Sequence, residues 1–475
     1  MKKWKILYFT LFFGFCLIPS VGMLFTHSEE SMENRTLSEF PSLKGEQGIN
    51  VDWLSQAGDY FQEHFAFRNE MVTANAILNG RLLKTSTAPG VIQGNKGWLY
   101  YTDSLPDYLG TEPMSDRSLF NLAHTLSMMQ DYLNSRNVKF LFTVAPNKNS
   151  LYGDNMPYYD RLKVSDEKNI LRLQEFLRQE NVTYADLYEM FSNCEEVMYH
   201  KTDSHWNNKG ASLAADVLLN AVGKEHRSFD DAEYEVRKDF TGDLDKMLYP
   251  LAITPDEEIY YKDGFTYDYV EKIESTFDPR IHTTNPSKDG SLIMYRDSFG
   301  NALLPFMAEN YAAAYFSRGV PYQLSDVDIN KADTVIVERA ERFLPEMAQS
   351  PPVMTAVPVS ENNIFKDNGQ ISDGAYDIQM VRQGIQLKIT GRIQPEYVST
   401  NTQIYVRRDG GETCEAFPMD VKTDSGTDDN GFCIYVPLSE AEDTDEHNLG
   451  IFCKTGNDIV CVYNGIIKEE KENEK

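Results

Sequence analysis

The spacing of apolar and polar positions divides the chain into parts of different character. Residues 51–83 carry apolar side chains at helical spacing, and from about residue 116 short apolar runs alternate with amphipathic helical stretches. This alternation favours a parallel sheet with helices on both faces, and the runs predicted as strands are residues 139–144, 182–187, 291–295, 312–316 and 334–338. The pattern therefore predicts an α/β core.

The C-terminal part of the chain has a different period. After the Pro351-Pro352 pair, apolar residues recur at every second position in segments separated by turns. These segments predict a small β-sandwich over residues 365–467. We place the α/β domain at residues 28–350, with residues 224–285, which are rich in Asp, Glu and Tyr, as an insertion near the mouth of its site. The charged tail 468–475 is predicted to be disordered.

The chain begins with lysines at positions 2, 3 and 5, and residues 6–25 that follow are almost entirely apolar. Twenty such residues are long enough to cross a bilayer, and the lysines would remain on the cytoplasmic side. No A-x-A cleavage site follows, so residues 1–27 predict an uncleaved signal anchor, with a cleaved signal peptide as the alternative. In either case the rest of the chain would lie outside the cytoplasm, and the uncleaved anchor predicts a single-pass protein of the cell membrane and envelope.

Charge and cysteine content narrow the chemistry further. A formal net charge of −28 argues against nucleic-acid binding, because no basic face is available to compete for phosphate. None of the six cysteines has C-x-x-C spacing, so no zinc site is predicted. Four of them cluster between residues 414 and 461, where one or two disulfides and buried free thiols are both open interpretations.

The first candidate for catalysis is Ser298. It follows the apolar run 291–295 and precedes a helical segment that begins at Gly300. A serine on such a strand-to-helix turn projects its hydroxyl from the end of a sheet, where free backbone N–H groups can stabilise an oxyanion. Strand ends also carry Asp and Ser as ordinary caps, so this pattern needs a general base to become a catalytic prediction.

The candidate base is His205, and Asp203 is its partner. Residues two apart in an extended segment point to the same side, so the Asp203 carboxylate would lie beside the His205 imidazole. There it would fix the tautomer and stabilise the imidazolium, as the acid of a Ser-His-Asp set does. Asn207 is predicted to cap the helix that follows. The alternative is a surface loop in which the histidine and Trp206 only pack on their neighbours.

Two segments together resemble the DHHW family and the related AlgX/AlgJ-type polysaccharide O-acetyltransferases: Thr202-Asp203-Ser204-His205-Trp206-Asn207 and Arg296-Asp297-Ser298-Phe299-Gly300-Asn301. Further matches in the same order are Glu33-Asn34-Arg35-Thr36-Leu37 with Phe40-Pro41, residues 61–68, Gly94-Asn95-Lys96-Gly97-Trp98-Leu99-Tyr100 and Ala145-Pro146-Asn147-Lys148. The resemblance covers roughly residues 30–345. It implies an SGNH-hydrolase-like, flavodoxin-like sheet in which the Asp-x-His pair precedes the serine.

The resemblance also implies roles for individual residues. Ser298, His205 and Asp203 would be the catalytic triad, and Asn147, Lys148, Arg296 and Trp206 are candidates for binding the oxyanion or the substrate. For Asn147 the alternative is an ordinary Asn-rich turn. The chain departs from the family at Ser204, where histidine is usual, and at Arg296, which replaces a glycine. Because Ser204 is not a triad position, the triad prediction does not depend on it.

The implied activity is serine O-acyltransfer outside the cytoplasm, in which an acetyl group passes through an acyl-enzyme to a cell-surface or secreted polysaccharide. No organic cofactor or metal is expected. Because acetyl-CoA is absent outside the cytoplasm, the resemblance implies a partner of the membrane-bound O-acyltransferase type that supplies acyl groups. A carbohydrate O-acetyl esterase and a non-catalytic scaffold that binds glycan or an assembly partner remain as alternatives. Retention of all three triad residues argues against the scaffold.

Overall fold

The computed structural model describes residues 2–26, 37–45, 48–83, 85–359, 364–366, 373–424, 426–438 and 445–470. The motif residues 33–36 and the end of the tail, 471–475, lie outside the described residues. Two seven-stranded sheets dominate the described part of the chain.

Helices and short strands make up the N-terminal region: α1 (Lys2–Gly22), β1 (Lys44–Gly45), β2 (Gly48–Ile49), α2 (Trp53–His64), α3 (Arg68–Leu82), β3 (Val91–Gln93), β4 (Leu99–Tyr101) and α4 (Leu105–Leu109). Within α1, the span Lys3–Gly22 is long and apolar enough to cross a membrane, and a signal sequence would have the same character. Strands β3 and β4 pair antiparallel, which confirms the hairpin character of the Gly94–Gly97 turn.

The α/β region follows with these elements: α5 (Asp116–Asn134), β5 (Lys139–Ala145), α6 (Lys148–Leu151), α7 (Asn169–Gln179), β6 (Tyr184–Ala185), α8 (Leu187–Ser192), α9 (Asn208–Ala221), β7 (Tyr234–Phe240), α10 (Asp243–Leu248), β8 (Asp256–Tyr261), β9 (Asp268–Tyr269), β10 (Arg280–Thr284), β11 (Ser291–Tyr295), α11 (Gly300–Ala308), β12 (Ala313–Ser317), α12 (Ser325–Asn330), β13 (Thr334–Ala340) and α13 (Leu344–Gln349). Several helices begin where the sequence offers a cap. The Asn207 side chain accepts a hydrogen bond from the Gly210 N–H, as the sequence predicted for α9.

The central sheet has the strand order β6-β5-β13-β11-β12-β10-β9. The first five strands of this order run parallel, which confirms the predicted parallel core. Strands β10 and β9 extend one edge in the antiparallel sense, so the sheet is mixed. Part of the segment predicted as an insertion thus extends the edge of the central sheet. All five parallel strands end at the same edge, where open α/β sheets bind their ligands.

Residues within each central strand point alternately to two separate apolar layers. In β5, Phe140 and Phe142 pack with α5 and α7 on one face, whereas Leu141 packs with α9 and α11 on the other. The same alternation places Ile293 and Met294 of β11 in opposite layers. Because both faces are covered by helices, these strands read in the sequence as continuous apolar runs.

The C-terminal strands are β14 (Ala375–Gln383), β15 (Gln386–Ile393), β16 (Gln403–Arg408), β17 (Thr413–Thr423), β18 (Gly426–Pro437), β19 (Glu446–Thr455) and β20 (Asp458–Lys468). They form one antiparallel sheet in the order β14-β15-β18-β17-β16-β19-β20. The predicted pair of stacked sheets is therefore replaced by a single curled sheet. Its curvature has a physical source in bulges, such as the one between Met419 and Val421 of β17, which bend a strand and increase its twist. Apolar residues from all seven strands then meet inside the curl.

Buried polar contacts join helix α5 to the C-terminal sheet. The Arg117 guanidinium donates hydrogen bonds to the carbonyls of Ser399, Thr400 and Thr402, at 3.3, 3.1 and 2.6 Å. Two turns further along α5, His124 bonds Glu180 through Nδ1 at 2.7 Å and Glu415 of β17 through Nε2 at 2.9 Å. Burial alone would lower the pKa of His124, but the hydrogen bonds to the two carboxylates raise it to about 9. At neutral pH the imidazolium therefore bridges the end of α7 and strand β17 of the C-terminal sheet.

Replacement of His124 by alanine is expected to lower the free energy of unfolding by about 3 kcal/mol at pH 7, because two carboxylates lose the cation between them. Since the folded-state pKa is raised, the stabilisation is complete below the ordinary value of 6.5 and is lost as pH rises through about 9. Thermal unfolding of the wild-type and variant ectodomains at pH 7 and pH 10 measures both effects. His226→Ala, which removes a histidine paired with the single carboxylate of Asp216, is the control and should cost less. An equal gap between wild type and His124→Ala at both pH values would contradict this account.

Candidate active site

Ser298 lies on the turn between β11 and α11, at the carboxyl edge of the central sheet. Its neighbour Asp297 fixes this turn: one carboxylate oxygen accepts from the Phe299 N–H at 2.9 Å and the other from the Ala340 N–H of β13 at 2.7 Å. The turn is thereby tied both to itself and to the adjacent strand. The buried Asp297 holds the backbone of this turn, while the Ser298 hydroxyl is left to face the cleft.

His205 is supplied by a loop between α8 and α9 that folds back on itself. The His200 N–H donates to the His205 carbonyl at 3.2 Å, and Tyr199 forms an isolated bridge with Trp206. Lys148 fills the interior of this loop, where its ammonium donates to the carbonyls of His200, Lys201 and Asp203, at 2.9, 3.0 and 2.6 Å. Burial lowers the pKa of Lys148 to about 7. The structure therefore places this predicted substrate-binding residue under the histidine loop as a support.

The three predicted triad residues come together in hydrogen-bonding order. His205 Nε2 lies 2.8 Å from Ser298 Oγ, and His205 Nδ1 lies 2.6 Å from Asp203 Oδ1. The same Asp203 oxygen also accepts from the His205 backbone N–H at 2.9 Å, which fixes the carboxylate against the ring. All three side chains line one cleft with a volume of about 350 Å³. Such geometry is suited to general-base activation of a serine hydroxyl.

A second carboxylate, Asp243, joins the site from the segment that the sequence pattern left without a role. The Asp243 backbone N–H donates to Asp203 Oδ2 at 2.7 Å, and its carboxylate lies 3.8 Å from His205 Nδ1. Ser204 bridges the two, since its hydroxyl donates to Asp243 Oδ2 at 2.7 Å and lies 3.2 Å from His205 Nδ1. Sequence reasoning missed Asp243 because it is 38 residues from His205. The one local feature that could have indicated Asp243 is its position directly after Gly242, at the start of α10.

The charges around His205 set its protonation. Burial of the imidazole lowers its pKa, but Asp203 and, to a smaller extent, Asp243 outweigh this and raise it. Burial works in the opposite sense on Asp203, where His205 nevertheless holds the pKa of the carboxyl below its usual range. The pKa of Asp243 is raised by burial and by the neighbouring Asp203. Asp203 is thus held ionised beside His205, and its charge favours the imidazolium form of the ring.

The raised pKa of His205 predicts the pH profile of ester cleavage. A histidine that acts as the base must be neutral, so with His205 in this role kcat/KM for p-nitrophenyl acetate should fall on the acidic side with a midpoint above 6.5. Asp243→Asn removes one charge that favours the imidazolium and should move that midpoint to lower pH. Asp239→Asn, an exposed carboxylate outside the cleft, is the matched control and should leave the midpoint in place. A midpoint that stays or rises in Asp243→Asn would contradict the assignment.

The other predicted binding residues are buried. Trp206 is 1% exposed and packs edge-on against Phe299 at 4.9 Å, although it forms part of the cleft wall. Arg296 is also 1% exposed and donates hydrogen bonds to the Thr276 and Asp297 carbonyls at 2.8 and 3.2 Å and to the Asn301 side chain. Both residues shape the site through packing and hydrogen bonds within the protein.

Asn147 follows β5 at the same edge of the sheet, where its backbone N–H donates to Glu341 at 2.7 Å. Both polar atoms of its side-chain amide are buried and have no hydrogen-bond partner among the described residues. An amide left unsatisfied in this way costs stability unless a ligand or another group engages it. Asn147 does not line the cleft itself. Its unpartnered amide nevertheless leaves it a candidate for binding the oxyanion.

One cluster in the described part of the chain also has the composition of a cation site. Donor atoms of Asp203, His205 and Asp243 lie within 4.8 Å of one another. Both ring nitrogens of His205 are already engaged, since Nδ1 is hydrogen-bonded to Asp203 and Nε2 to the Ser298 hydroxyl. A metal ion bound through His205 would have to displace one of these partners, so the cluster fits a proton relay better.

Comparison with known proteins agrees with this architecture. Residues 91–274 match the SGNH hydrolase-like domain of the acetyltransferase AlgX. The match includes Asp203 and His205 and ends before Ser298. A curated relative, the probable alginate O-acetylase AlgJ of Pseudomonas syringae pv. tomato, is 24% identical over 230 residues, which are 47% of this chain and 54% of AlgJ. The chain thus spans about half the length of that relative. The predicted relationship to the AlgX and AlgJ proteins is confirmed.

Two solved structures are similar to part of the chain. PatB1 of Bacillus cereus has a TM-score of 0.43 and 17% identity, with 54% of this chain and 96% of PatB1 covered. A DHHW family protein from Eubacterium siraeum has a TM-score of 0.40 and 18% identity, with 54% of this chain and 95% of that protein covered.

Proposed function

We propose that this protein is an extracytoplasmic, membrane-anchored serine O-acyltransferase that passes acetyl groups to a cell-surface or secreted polysaccharide. The observation that carries the proposal is the continuous relay from Ser298 Oγ through His205 to Asp203, with links of 2.8 and 2.6 Å. Similarity to an acetyltransferase domain and to a probable alginate O-acetylase supports acetyl transfer and a polysaccharide acceptor.

In the first half of the reaction, Ser298 Oγ attacks the acetyl carbonyl of the donor while His205 Nε2 takes the hydroxyl proton. The bond from the carbonyl carbon to the donor oxygen then breaks, and His205 returns the proton to that oxygen. In the second half, a sugar hydroxyl attacks the acetyl-Ser298 ester, gives its proton to His205, and displaces Ser298 Oγ, which recovers the proton. Asp203 stays ionised and stabilises the imidazolium in both halves.

The negative charge on the carbonyl oxygen needs hydrogen-bond donors. The Ser298 backbone N–H has no acceptor among the described residues, so it is available for this task. The unpartnered amide of Asn147 is the second candidate. A donor that is already aimed at the developing oxyanion contributes about 3 kcal/mol to the reduction of the barrier.

Anchoring and acyl supply follow from the location of the reaction. Helix α1 has the length and composition of a membrane anchor, and the triad belongs to the much larger part of the chain that follows it. Acyl groups on that side of the membrane must come from an exported donor. We assign this task to a membrane-bound O-acyltransferase partner that transfers acyl groups across the bilayer. The anchor would keep Ser298 close to that partner.

Acetate release with and without an acceptor tests the proposal. The soluble ectodomain, residues 28–475, is incubated with p-nitrophenyl acetate alone and then with oligosaccharides, and acetylated sugar is measured by mass spectrometry. The proposal predicts slow hydrolysis alone and acetylated sugar when an acceptor is present. Release of acetate with no acetylated sugar would favour a carbohydrate esterase, since water then replaces the sugar hydroxyl. No ester cleavage by well-folded protein would favour a non-catalytic scaffold.

A further inference from the structure

One aromatic ring that lines the cleft, that of Phe277, packs against no other aromatic ring among the described residues. Phe277 lines the cleft that contains Ser298, and 53% of its surface is exposed. Phe240, which lines the same cleft, is different because its ring is stacked on His200 at 3.7 Å between centroids. Phe277 differs from the other exposed apolar side chains in its position in this cleft, and ligand pockets are lined mainly by apolar and aromatic side chains.

The loop that carries Phe277 is nevertheless held firmly. The Asp278 carboxylate accepts hydrogen bonds from the Glu274 and Ser275 N–H groups, at 2.8 and 3.1 Å. The Arg318 guanidinium donates to the Phe277 carbonyl at 3.2 Å and lies 5.5 Å from the centre of the ring. An exposed ring on a backbone fixed in this way is preorganised for binding, because little conformational entropy is lost when a ligand contacts it.

Arg296 connects this loop to the nucleophile. Its guanidinium donates to the Thr276 carbonyl at 2.8 Å, directly before Phe277, and to the Asn301 side chain at the start of α11. The chain makes room for this side chain at Gly300, where an added Cβ atom would lie only 2.6 Å from the Arg296 Cβ. The absence of a side chain at Gly300 thus leaves room for Arg296, and the arginine links the Ser298 turn to the loop on the cleft wall.

We propose that Phe277 is the platform on which a sugar ring of the acceptor stacks, and that Arg296 is a positioning residue that holds this platform at a fixed distance from Ser298. This inference rests on the proposed function and adds the residue that selects the acceptor. A flat apolar ring suits the apolar face of a pyranose, whose C–H groups lie on one side while its hydroxyls point outward. With the ring seated on Phe277, a hydroxyl at its edge would face the acetyl-Ser298 ester.

The test measures how the acyl-enzyme divides between water and sugar. The ectodomain is acetylated with p-nitrophenyl acetate in the presence of neutral, amino and uronic-acid pentasaccharides. For the best acceptor, Phe277→Ala should lower the ratio of transfer to hydrolysis about tenfold through a higher acceptor KM, which corresponds to a loss of about 1.4 kcal/mol of binding. Phe277→Trp, which keeps an aromatic ring at this position, should retain the wild-type ratio of transfer to hydrolysis. Tyr158→Ala removes an exposed aromatic outside the cleft and should leave the ratio as in wild type.

Arg296→Lys tests the positioning role. A lysine ammonium cannot reproduce the planar guanidinium that reaches the Thr276 carbonyl and the Asn301 side chain together. The variant should raise the acceptor KM as Phe277→Ala does, and the double variant should be no worse than either single one. If Arg296→Lys instead loses labelling of Ser298 by a fluorophosphonate, Arg296 serves the nucleophile turn alone and its positioning role is overturned.

Failure of the inference and failure of the proposed function give different results. Wild-type protein that no fluorophosphonate labels would overturn the proposed function and the inference with it. Labelled protein in which Phe277→Ala keeps the wild-type ratio of transfer to hydrolysis would overturn the platform alone. Labelled protein that acetylates none of the three classes of pentasaccharide would overturn the inference that the cleft accepts a sugar ring.

Discussion

Replacement of Ser298 by alanine is expected to lower kcat for p-nitrophenyl acetate by about 10⁶-fold, the loss that follows removal of a serine nucleophile in a comparable triad. The physical reason is that no other hydroxyl takes its place at 2.8 Å from His205 Nε2. The remaining N–H donors can still polarise a bound ester, so a small residual rate over water should persist. Steady-state kinetics on purified ectodomain, with the spontaneous hydrolysis subtracted, measure the effect.

Ser204→Ala is the matched control for this variant. Ser204 also carries a hydroxyl beside the imidazole, 3.2 Å from His205 Nδ1, but on the side away from Ser298. Its loss should reduce kcat by only about tenfold, since one hydrogen bond of ordinary strength is removed. If Ser204→Ala abolished ester cleavage while Ser298→Ala retained it, the nucleophile would have been assigned to the wrong serine.

Replacement of Asp203 by asparagine is expected to lower kcat by about 10⁴-fold, the loss seen when the acid of a Ser-His-Asp set becomes an amide. Asp203 Oδ1 lies 2.6 Å from His205 Nδ1 and fixes the tautomer that leaves Nε2 free to accept the serine proton. An asparagine amide can donate to Nδ1 and thereby favour the wrong tautomer. The substitution also removes the negative charge that raises the pKa of His205. Kinetics at several pH values separate these two contributions.

Asp243→Asn is the comparison for the second carboxylate. Asp243 lies 3.8 Å from His205 Nδ1 and reaches the imidazole through the Ser204 hydroxyl, so its removal should cost about tenfold in kcat. A loss as large as that in Asp203→Asn would show that the two carboxylates share the role of the acid. The family motif around His205, which contains Asp203 but not Asp243, would then have identified only one of the two acids.

The sequence predicted the candidate site residues that stand in a recognisable local pattern. Asp203 and His205 are two residues apart and Ser298 follows a clearly apolar strand, so local pattern and family resemblance single them out as the triad candidates. The parallel core was equally readable, because strands buried on both faces leave continuous apolar runs. By contrast, Asp243 and Phe277 lie in a segment with little periodicity, and only the fold brings them to the cleft.

Burial was the property that sequence reasoning judged least well. Lys148 and Arg296 carry charges of the kind that bind anionic or polar substrates, yet the structure engages both with backbone carbonyl groups inside the protein. Nothing local in the sequence indicates this, since the carbonyls come from loops that are distant along the chain. The single curled C-terminal sheet has a similar cause. Alternating strands predict one buried face, but bulges decide whether that face is covered by a second sheet or by the sheet itself.

Direct observation of the acyl-enzyme tests whether Ser298 is an activated nucleophile. The ectodomain is treated with p-nitrophenyl acetate, quenched in acid and digested, and the acetylated peptide is mapped by mass spectrometry beside His205→Ala treated in the same way. We expect an acetyl group on Ser298 in the wild type and its absence in His205→Ala, where no base activates the hydroxyl. An unmodified Ser298 in well-folded wild-type protein that cleaves the ester, or equal acetylation of Ser298 in both proteins, would contradict this role for Ser298.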